Sequence, residues 1–454
     1  MIPKEIKIEI PERANLIIHT LEDAGYEAYA VGGCVRDCVL GRVPNDWDIT
    51  TSALPEQVKA LFRRTVDTGL KHGTVTVLMG DEGFEVTTYR IDGEYDDGRH
   101  PREVEFTRDL SEDLRRRDFT INAMAYNDRE GLVDLYDGLG DIEKKVIRCV
   151  GDPYERFGED ALRMLRAVRF SAQLGYSIEE KTREAITKLS KNLEKISAER
   201  IHTELVKLLV SDNPMELRVA YETGMTGVFL PEFDLAMQTG QKHIHHCYSV
   251  GEHILHSIAE VKADPVLRLA MLFHDIGKPQ TLSTDEDGTT HFRGHPAVSA
   301  DMARDICRRL KMDNDTIDKV CTLVRYHDYK HGEEPTETVL RKALNKVGAE
   351  IFPMFLEVRR ADVMAQSDYM REDKLEKIRG WDKLYREVMA KGQCFTVKQL
   401  KINGGDLKNI GIKPGPKMGE ILSALLDEVI EDPEKNTEEY LLKRAGQLAE
   451  NTEN

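Results

Sequence analysis

The sequence predicts an α+β chain: a strand-containing N-terminal region followed by a long all-helical remainder. Three observations point there. Short β-branched runs separated by turn residues are confined to residues 1–150. From about Asp152 the apolar spacing becomes helical, with stops at Gly175 and at Asn213-Pro214. No stretch approaches 18 consecutive apolar residues, and the opening MIPKEIKIEIPER lacks an apolar signal core, so neither a membrane span nor a signal peptide is expected. A length of 454 residues leaves room for about three domains.

In chain order, Tyr29–Gly33 reads as a strand running into a Gly-Gly pair. Pro55–Phe62 follows Ser52 and reads as a short helix. Thr74–Met79 and Phe84–Arg90 flank Gly80–Gly83 as a hairpin. The charged, turn-rich stretch from Gly93 to Arg108 reads as a mobile loop. Phe157–Leu174 is a long helical run capped by Gly175, and Arg200–Val210 a second. Residues 240–365 are helical and hold ten of the fourteen histidines, around a polar loop at Thr284–Thr290. Residues 366–454 form a last helical segment, interrupted by turn-rich Asn403–Gly419. The boundaries expected from these shifts are 1–150, 151–235, 236–365 and 366–454.

The charge balance is 64 Lys+Arg against 81 Asp+Glu, a net −17. That excludes a protein coating nucleic acid or anionic membrane indiscriminately, but not a local basic track. Seven scattered cysteines without a CxxC pair fit a reduced, cytoplasmic protein.

Two chemical constellations stand out. Gly32-Gly33 follows a strand, with Arg36 and Asp37 entering a helix; glycines let backbone N–H groups approach a phosphate. Asp46-Trp47-Asp48 follows. In a strand, positions i and i+2 share a face, so the two carboxylates would stand together and need a cation between them; Mg²⁺ suits such a pair. Glu85 on the next strand is a candidate third carboxylate. Arg115-Arg116-Arg117-Asp118 and Asn122 offer guanidinium forks for a triphosphate. Asp160, Arg163, Arg166 and Arg169 recur every three residues, a spacing that would keep them on one side of a helix. An Asp and an Arg can present acceptors and donors to a base edge.

The ordered motifs Gly32-Gly33-x-x-Arg36-Asp37, Asp46-x-Asp48, Arg116-Arg117-Asp118-x-x-x-Asn122-Ala123, Glu159-Asp160-x-x-Arg163 and Glu199-Arg200-x-x-x-Glu204 resemble the bacterial class II tRNA nucleotidyltransferases. These are the CCA-adding enzymes and their poly(A) polymerase relatives; the likeness spans about residues 25–230. The resemblance implies a nucleotidyltransferase head of the DNA polymerase beta type, then a helical neck, body and tail. It implies that Asp46 and Asp48 hold Mg²⁺. Gly32, Gly33, Arg36, Arg117, Asp118 and Asn122 would surround the nucleotide. Asp160 and Arg163 would read its base, supported by Arg166 and Arg169, with Arg200 and Glu204 bracing the reader. A loop at Gly93–Arg108 is associated in that family with switching from adding C to adding A.

The second constellation is His253, His274-Asp275, His295, His327-Asp328 and Asp362. Neutral imidazoles and carboxylates bind divalent transition metals. The segment resembles the HD metal-dependent phosphohydrolases, which implies His253, His274, Asp275 and Asp362 as ligands of a metal of unspecified identity. His295 and His327 would either complete a second metal site or contact substrate phosphate, which Lys278 could also touch. His243, His245 and His246 read as loop.

Residues 391–419 carry six lysines against Asp406, a net +5, while residues 420–454 sum to −7. The basic part resembles the C-terminal segment of CCA-adding enzymes and is expected to touch tRNA phosphates. The expected activity is therefore addition of CCA to tRNA from CTP and ATP. The competing expectations are a poly(A) polymerase and an HD phosphohydrolase with a vestigial head.

Overall fold

In the computed structural model, the β-branched runs of the N-terminal region assemble into one mixed sheet of seven strands. The structure describes residues 6–93, 104–242, 247–330 and 334–451, which divide into two units, 1–234 and 235–454. The first unit contains β1 (Ala28–Val31), β2 (Ile49–Thr51), β3 (Thr65–Gly69), β4 (Thr74–Met79), β5 (Glu82–Thr88), a separate ribbon of β6 (Arg90–Asp92) and β7 (Val104–Phe106), then β8 (Met124–Asn127) and β9 (Gly131–Asp134). The sheet order is β3-β4-β5-β2-β1-β8-β9; β2 and β5 are parallel and the other pairs antiparallel.

The hairpin expectation holds, with a tighter turn. Gly83 pairs with Leu78 and Glu82 with Met79, leaving only Gly80-Asp81 in the loop. Period-two alternation places Val75 opposite Val86 and Val77 opposite Phe84, all buried on one face. α1 (Glu12–Asp23) contributes Ile17, Ile18 and Leu21 to this core, and α3 (Pro55–Leu61) contributes Val58. The expected loop over Gly93–Arg108 is only partly open to description: residues 94–103 lie outside the described residues, while Val104–Phe106 pairs with Arg90–Asp92 as a strand.

α2 (Gly33–Val39), α4 (Leu110–Arg115) and α5 (Gly138–Lys144) complete the head, followed by α6 (Pro153–Glu159), α7 (Leu162–Leu174), α8 (Glu180–Leu189) and α9 (Ala198–Leu209). The long run expected over Phe157–Leu174 is two helices, because Asp160 is extended (φ −136, ψ 101). Its carboxylate accepts the Leu162 N–H at 3.0 Å, which starts α7 afresh. Asp160 therefore precedes the helix that carries Arg163, Arg166 and Arg169 rather than sharing its face. Gly175 (φ +69) closes α7 as expected. α7 packs on α9, whose Ile201, Leu205, Leu208 and Leu209 form its buried stripe. Truncating such a leucine to alanine costs about 2–5 kcal/mol.

α10 (Leu217–Glu222), α11 (Thr226–Phe229) and α12 (Pro231–Gln238) lead to the division at 234/235. The second unit holds α13 (Val250–Glu260), α14 (Pro265–Phe273), α15 (His295–Arg309), α16 (Asn314–Tyr326), α17 (Glu337–Val347), α18 (Phe352–Met364), α19 (Arg371–Ala390), α20 (Gly404–Asn409), α21 (Pro416–Glu431) and α22 (Glu438–Asn451). Side-chain caps from Ser249, Asp264, Asp313 and Thr336 start α13, α14, α16 and α17. The polar loop at Thr284–Thr290 is a small hairpin, Ser283–Thr284 against Thr290–His291. Turn-rich Asn403–Gly419 contains α20 and the first turn of α21.

Packing does not break at residue 365. Trp381 of α19 is fully buried beside Phe352 and Phe355 of α18. A separate apolar cluster joins Cys394, Leu407, Leu425, Val429, Leu441 and Ala445.

Candidate active site

Asp46 and Asp48 lie just before β2, not within it as expected. Strand-like pairing nevertheless reaches back to them: Val31 N–H donates to the Asp48 carbonyl at 3.0 Å. The parallel register sets Ile49 beside Val86, which brings Asp48 alongside Glu85. Glu85 points away from the buried face carrying Phe84 and Val86. Asp46, Asp48 and Glu85 line one cleft of about 610 Å³. Asp46 and Asp48 also border a second cleft of about 670 Å³, shared with Gly33, Arg36, Arg169 and Lys207. Desolvation by the surrounding protein raises the Asp48 carboxyl above its ordinary range; Asp46 adds to this, and Arg117 opposes it. Glu85 is raised by desolvation and then by Asp48 and Asp46. Three carboxylates on one cleft, with Asp46 raising Asp48 and both raising Glu85, are a hard-oxygen site suited to a divalent cation.

Behind the carboxylates lies an arginine framework. Gly32 has φ +83 and ψ −128, and a Cβ there would lie 3.1 Å from Arg117 Nη1, so only glycine fits. Arg117 donates to Asp113 Oδ2 at 3.3 Å, and Arg116 clamps Asp113 Oδ1 with Nε and Nη2 at 3.0 and 2.8 Å. Asp113 is fully buried and also accepts from Thr50 on β2. Arg36 donates from Nη1 to Asn122 Oδ1 at 2.7 Å, and Asn122 donates to Asp118 Oδ1 at 3.2 Å. Asp118 in turn accepts from Arg166 Nε at 2.8 Å. The guanidinium groups of Arg36, Arg166 and Arg169 gather around one ring, Phe170, at 5.2, 5.4 and 3.9 Å from its centroid.

Burial alone would raise the Asp118 carboxyl, but Arg166 and then Arg163 and Asn122 outweigh it and hold it at about 2. A depressed folded-state pKa contributes stability above the ordinary carboxylate value and loses it as pH falls. The shift corresponds to about 2 kcal/mol. Asp118→Asn is expected to melt below the parent at pH 7, with the gap closing as pH falls from 4 toward 2 in thermal melts. A gap independent of pH would contradict this.

The expected reader is held together differently from its helical spacing. Arg200 of α9 grips Asp160 with Nη2–Oδ2 at 2.6 Å and Nη1–Oδ1 at 3.3 Å. Glu204, one turn on, binds Arg169 Nε at 2.5 Å and lies 3.7 Å from Arg166 Nη1. Arg163 is buried and bonds to Glu159 and to the carbonyls of Arg116 and Arg156.

The helical unit converges its histidines. His253 on α13, His274-Asp275 after α14, His295 starting α15, His327 after α16 and Asp362 on α18 meet around Asp275. His253 Nε2 is 2.9 Å from Asp362 Oδ1, and Lys278 Nζ is 2.7 Å from Asp275 Oδ2. A cavity of about 530 Å³ reaches these groups, with Arg293, Gln366, Lys374 and Lys377 on its walls. Burial opposes ionisation of Asp275, yet His274 and Lys278 hold it well below the usual carboxylate range. Burial pulls the His274 imidazolium down, but Asp275 and Asp362 lift it to about 10, so positive charge is favoured here. His243, His245 and His246 lie outside the described residues.

Three family models match the chain: a poly(A) polymerase head domain over residues 28–148, a probable RNA- and SrmB-binding site of polymerase A over 175–237, and a putative tRNA nucleotidyltransferase domain 2 over 280–445. A CCA-adding enzyme of Ligilactobacillus salivarius is 38% identical over 455 residues, covering 99% of this chain and 98% of the relative. The chain belongs to the CCA-adding enzyme family. A CCA-adding enzyme of Leuconostoc mesenteroides is 56% identical over 197 residues, 43% of this chain and 49% of that one. The crystal structure of the Bacillus stearothermophilus CCA-adding enzyme in complex with CTP matches with a TM-score of 0.71 at 30% identity, covering 98% of this chain and 99% of that one.

Within this CCA-adding family member, the residues singled out by motif gather as two sites. Gly32, Gly33, Arg36, Arg117, Asp118, Asn122, Arg166 and Arg169 form one connected framework behind Asp46 and Asp48. Asp160 joins through Arg200, whereas Arg163 is turned onto main-chain carbonyls. Sequence reasoning missed Asp113, Phe170 and Gln366. Gln366 donates to Asp362 Oδ2 at 3.1 Å and accepts from Lys374. Its only signal was its place four residues after Asp362, two residues past the end of α18.

Proposed function

We propose that this chain adds and repairs the 3′-terminal CCA of tRNA, using CTP and ATP without a nucleic-acid template. The observation that carries the reading is the three-carboxylate cleft opening beside an arginine-lined one. The tRNA 3′-oxygen bonds to the α-phosphorus, the bond from that phosphorus to the β-phosphate bridging oxygen breaks, and pyrophosphate leaves as the hydroxyl proton is lost. Asp46, Asp48 and Glu85 supply hard oxygens that suit Mg²⁺, which when bound activates the hydroxyl and stabilises the leaving oxygen. Arg36 and Arg117 are placed to hold the triphosphate. Asp160, set by Arg200, offers an acceptor to the base, while Arg163 is held on Glu159 and the Arg116 and Arg156 carbonyls and braces the site from behind. No described helix is long and apolar enough to cross a membrane, and work on tRNA sets the site of action in the cytoplasm.

The test incubates the protein with tRNA lacking CCA and single labelled nucleotides. CTP alone should add two residues, and both nucleotides together should complete CCA. Long tracts from ATP alone, without CTP, would make it a poly(A) polymerase instead.

The tail reading is narrower than the count of lysines. Lys391 pairs with Glu337 at 2.5 Å and Lys417 donates to the Ala449 carbonyl at 3.0 Å. Lys398, Lys401, Lys408 and Lys413 are the better phosphate candidates. Replacing these four with Gln should weaken tRNA binding about tenfold at moderate salt, and flatten the dependence of log affinity on log salt, in filter-binding titrations. An unchanged slope would reduce the segment to a solvated linker.

A second reading rests on the convergence around Asp275: an HD-type phosphohydrolase site in the helical unit, acting on phosphate esters. Asp275→Asn should remove hydrolysis of p-nitrophenyl phosphate while leaving nucleotide addition intact.

A further inference from the structure

We infer that the cleft on the Glu85 side of the carboxylates seats the 3′-terminal nucleoside of the RNA, with its base stacked on Trp47. The inference rests on the nucleotide-addition reading above and names the wall that holds the acceptor end.

Two clefts of the first unit meet at one wall, since Asn45, Asp46 and Asp48 line both. The cleft of about 670 Å³ adds four cationic side chains, Arg36, Arg42, Arg169 and Lys207. The cleft of about 610 Å³ adds no cation. Its remaining lining is Pro11, Trp47, Glu82, Gly83, Phe84 and Glu85. Arg13, the cation nearest this wall, is already paired with Glu82 at 3.1 Å and with Asp81 at 3.2 Å.

Charge decides which cleft takes which reactant. A nucleoside triphosphate is a polyanion and needs the guanidinium and ammonium groups of the larger cleft. The smaller cleft presents the carboxylates of Asp46, Asp48, Glu82 and Glu85 and would repel it. The end of an RNA strand is different, because its last ribose and base carry no charge. Geometry agrees with charge. In the transfer described above the 3′-oxygen bonds to the α-phosphorus, pyrophosphate leaves and the hydroxyl proton is lost. The attacking and departing oxygens stand on opposite sides of that phosphorus. With pyrophosphate leaving into the larger cleft, the 3′-oxygen arrives from the smaller one.

Trp47 gives the smaller cleft its platform. It lines this cleft and not the larger one, and it is half-buried rather than part of the core. Pro11 and Phe84 complete the apolar part of the wall. A cleft of this volume admits one nucleoside rather than a duplex. An indole face stacks on any base, because every base has a π-face. That tolerance suits an acceptor strand whose last base changes with each addition. A platform built from hydrogen bonds would reject some of those bases.

The experiment uses the chain's own fluorescence. Its two tryptophans are Trp47 and Trp381, and Trp381 is fully buried in the helical unit. Emission is followed while the full-length chain is titrated with tRNA lacking CCA, without nucleotide. A fall is expected for the parent and none for Trp47→Phe. The same tRNA made abasic at its last nucleotide should still bind in filter assays and leave emission unchanged. A fall that is equal with the abasic end, or that persists in Trp47→Phe, overturns the inference. In steady state, Trp47→Ala should raise KM for tRNA roughly tenfold, with kcat and KM for CTP within about twofold of the parent. Trp47→Phe should recover most of that loss. A rise in KM for CTP instead would put the nucleotide in this cleft and overturn the assignment. If Trp47→Ala fails to fold by circular dichroism, Trp47→Leu replaces it, keeping apolar bulk without a π-face. Quenching by the terminal base without any nucleotide incorporation supports the RNA-end cleft and removes the nucleotide-addition reading, whereas incorporation without quenching does the reverse.

Discussion

Asp48→Asn and Asp46→Ala should each lower the rate of nucleotide addition by roughly a thousand-fold, about 4 kcal/mol of barrier. The substitution of Asn for Asp48 keeps shape and removes charge. Asp48 is solvent-reachable, its carbonyl still accepts from Val31, and no apolar core depends on it, so the melting temperature should stay close to that of the parent. The loss therefore reports on the cation that the carboxylate would hold. Glu85→Gln separates roles within the trio. Glu85 reaches the same cleft from the neighbouring strand, and its removal should cost less than that of Asp48 but more than a surface change. Single-turnover addition of CMP to tRNA lacking CCA, over a range of Mg²⁺ concentrations, checks all three. A rate within tenfold of the parent for Asp48→Asn would remove this cleft as the centre of the reaction.

The legibility of this site in the sequence follows from how local its chemistry is. Asp46-x-Asp48 and Gly32-Gly33 are readable because their geometry is set within three residues, and the register of β2 on β5 then adds Glu85. Asp113 and Phe170 were not readable. Asp113 works because residues from β2, α4 and the arginine run meet on it, and Phe170 because three guanidinium groups from α2 and α7 surround its ring. No spacing records either convergence. The break at Asp160 was hidden for a related reason: its neighbours are good helix formers, and only the cap on Leu162 and the grip of Arg200 fix its extended backbone. Around Asp275 the sequence named every histidine but not their placing, with His253 and His274 facing Asp275 Oδ2 and His295 and His327 facing Oδ1. The net −17 misled only at the wrong scale. Arginines at 163–169 are spent on internal acids such as Asp118 and Glu204, so the head's positive groups act as a built framework rather than a coating.

Arg200→Met is the second substitution with a large expected effect, and it acts on selection rather than on the chemical step alone. Asp160 does two jobs: its Oδ1 caps α7 at Leu162, and both of its oxygens are held by Arg200 from α9. Met keeps the length and apolar stem of the side chain and removes the fork. Asp160 then keeps its cap but loses the contact that fixes its plane. Misplacing a group that positions substrate by about 1 Å can cost on the order of a hundred-fold, about 3 kcal/mol. The expected result is a fall of that size in kcat/KM for both CTP and ATP, with relative incorporation of UTP and GTP rising. Glu204 still holds Arg169 in this variant, so the framework around Phe170 stays in place and the fold should melt as before. Arg200→Lys should recover only part of the selectivity, because an ammonium cannot reproduce a two-point grip on a carboxylate. The measurement is competitive incorporation of all four nucleotides into tRNA lacking CCA. A uniform loss of rate with discrimination unchanged would show that Arg200 supports the helix pair and does not set the reader.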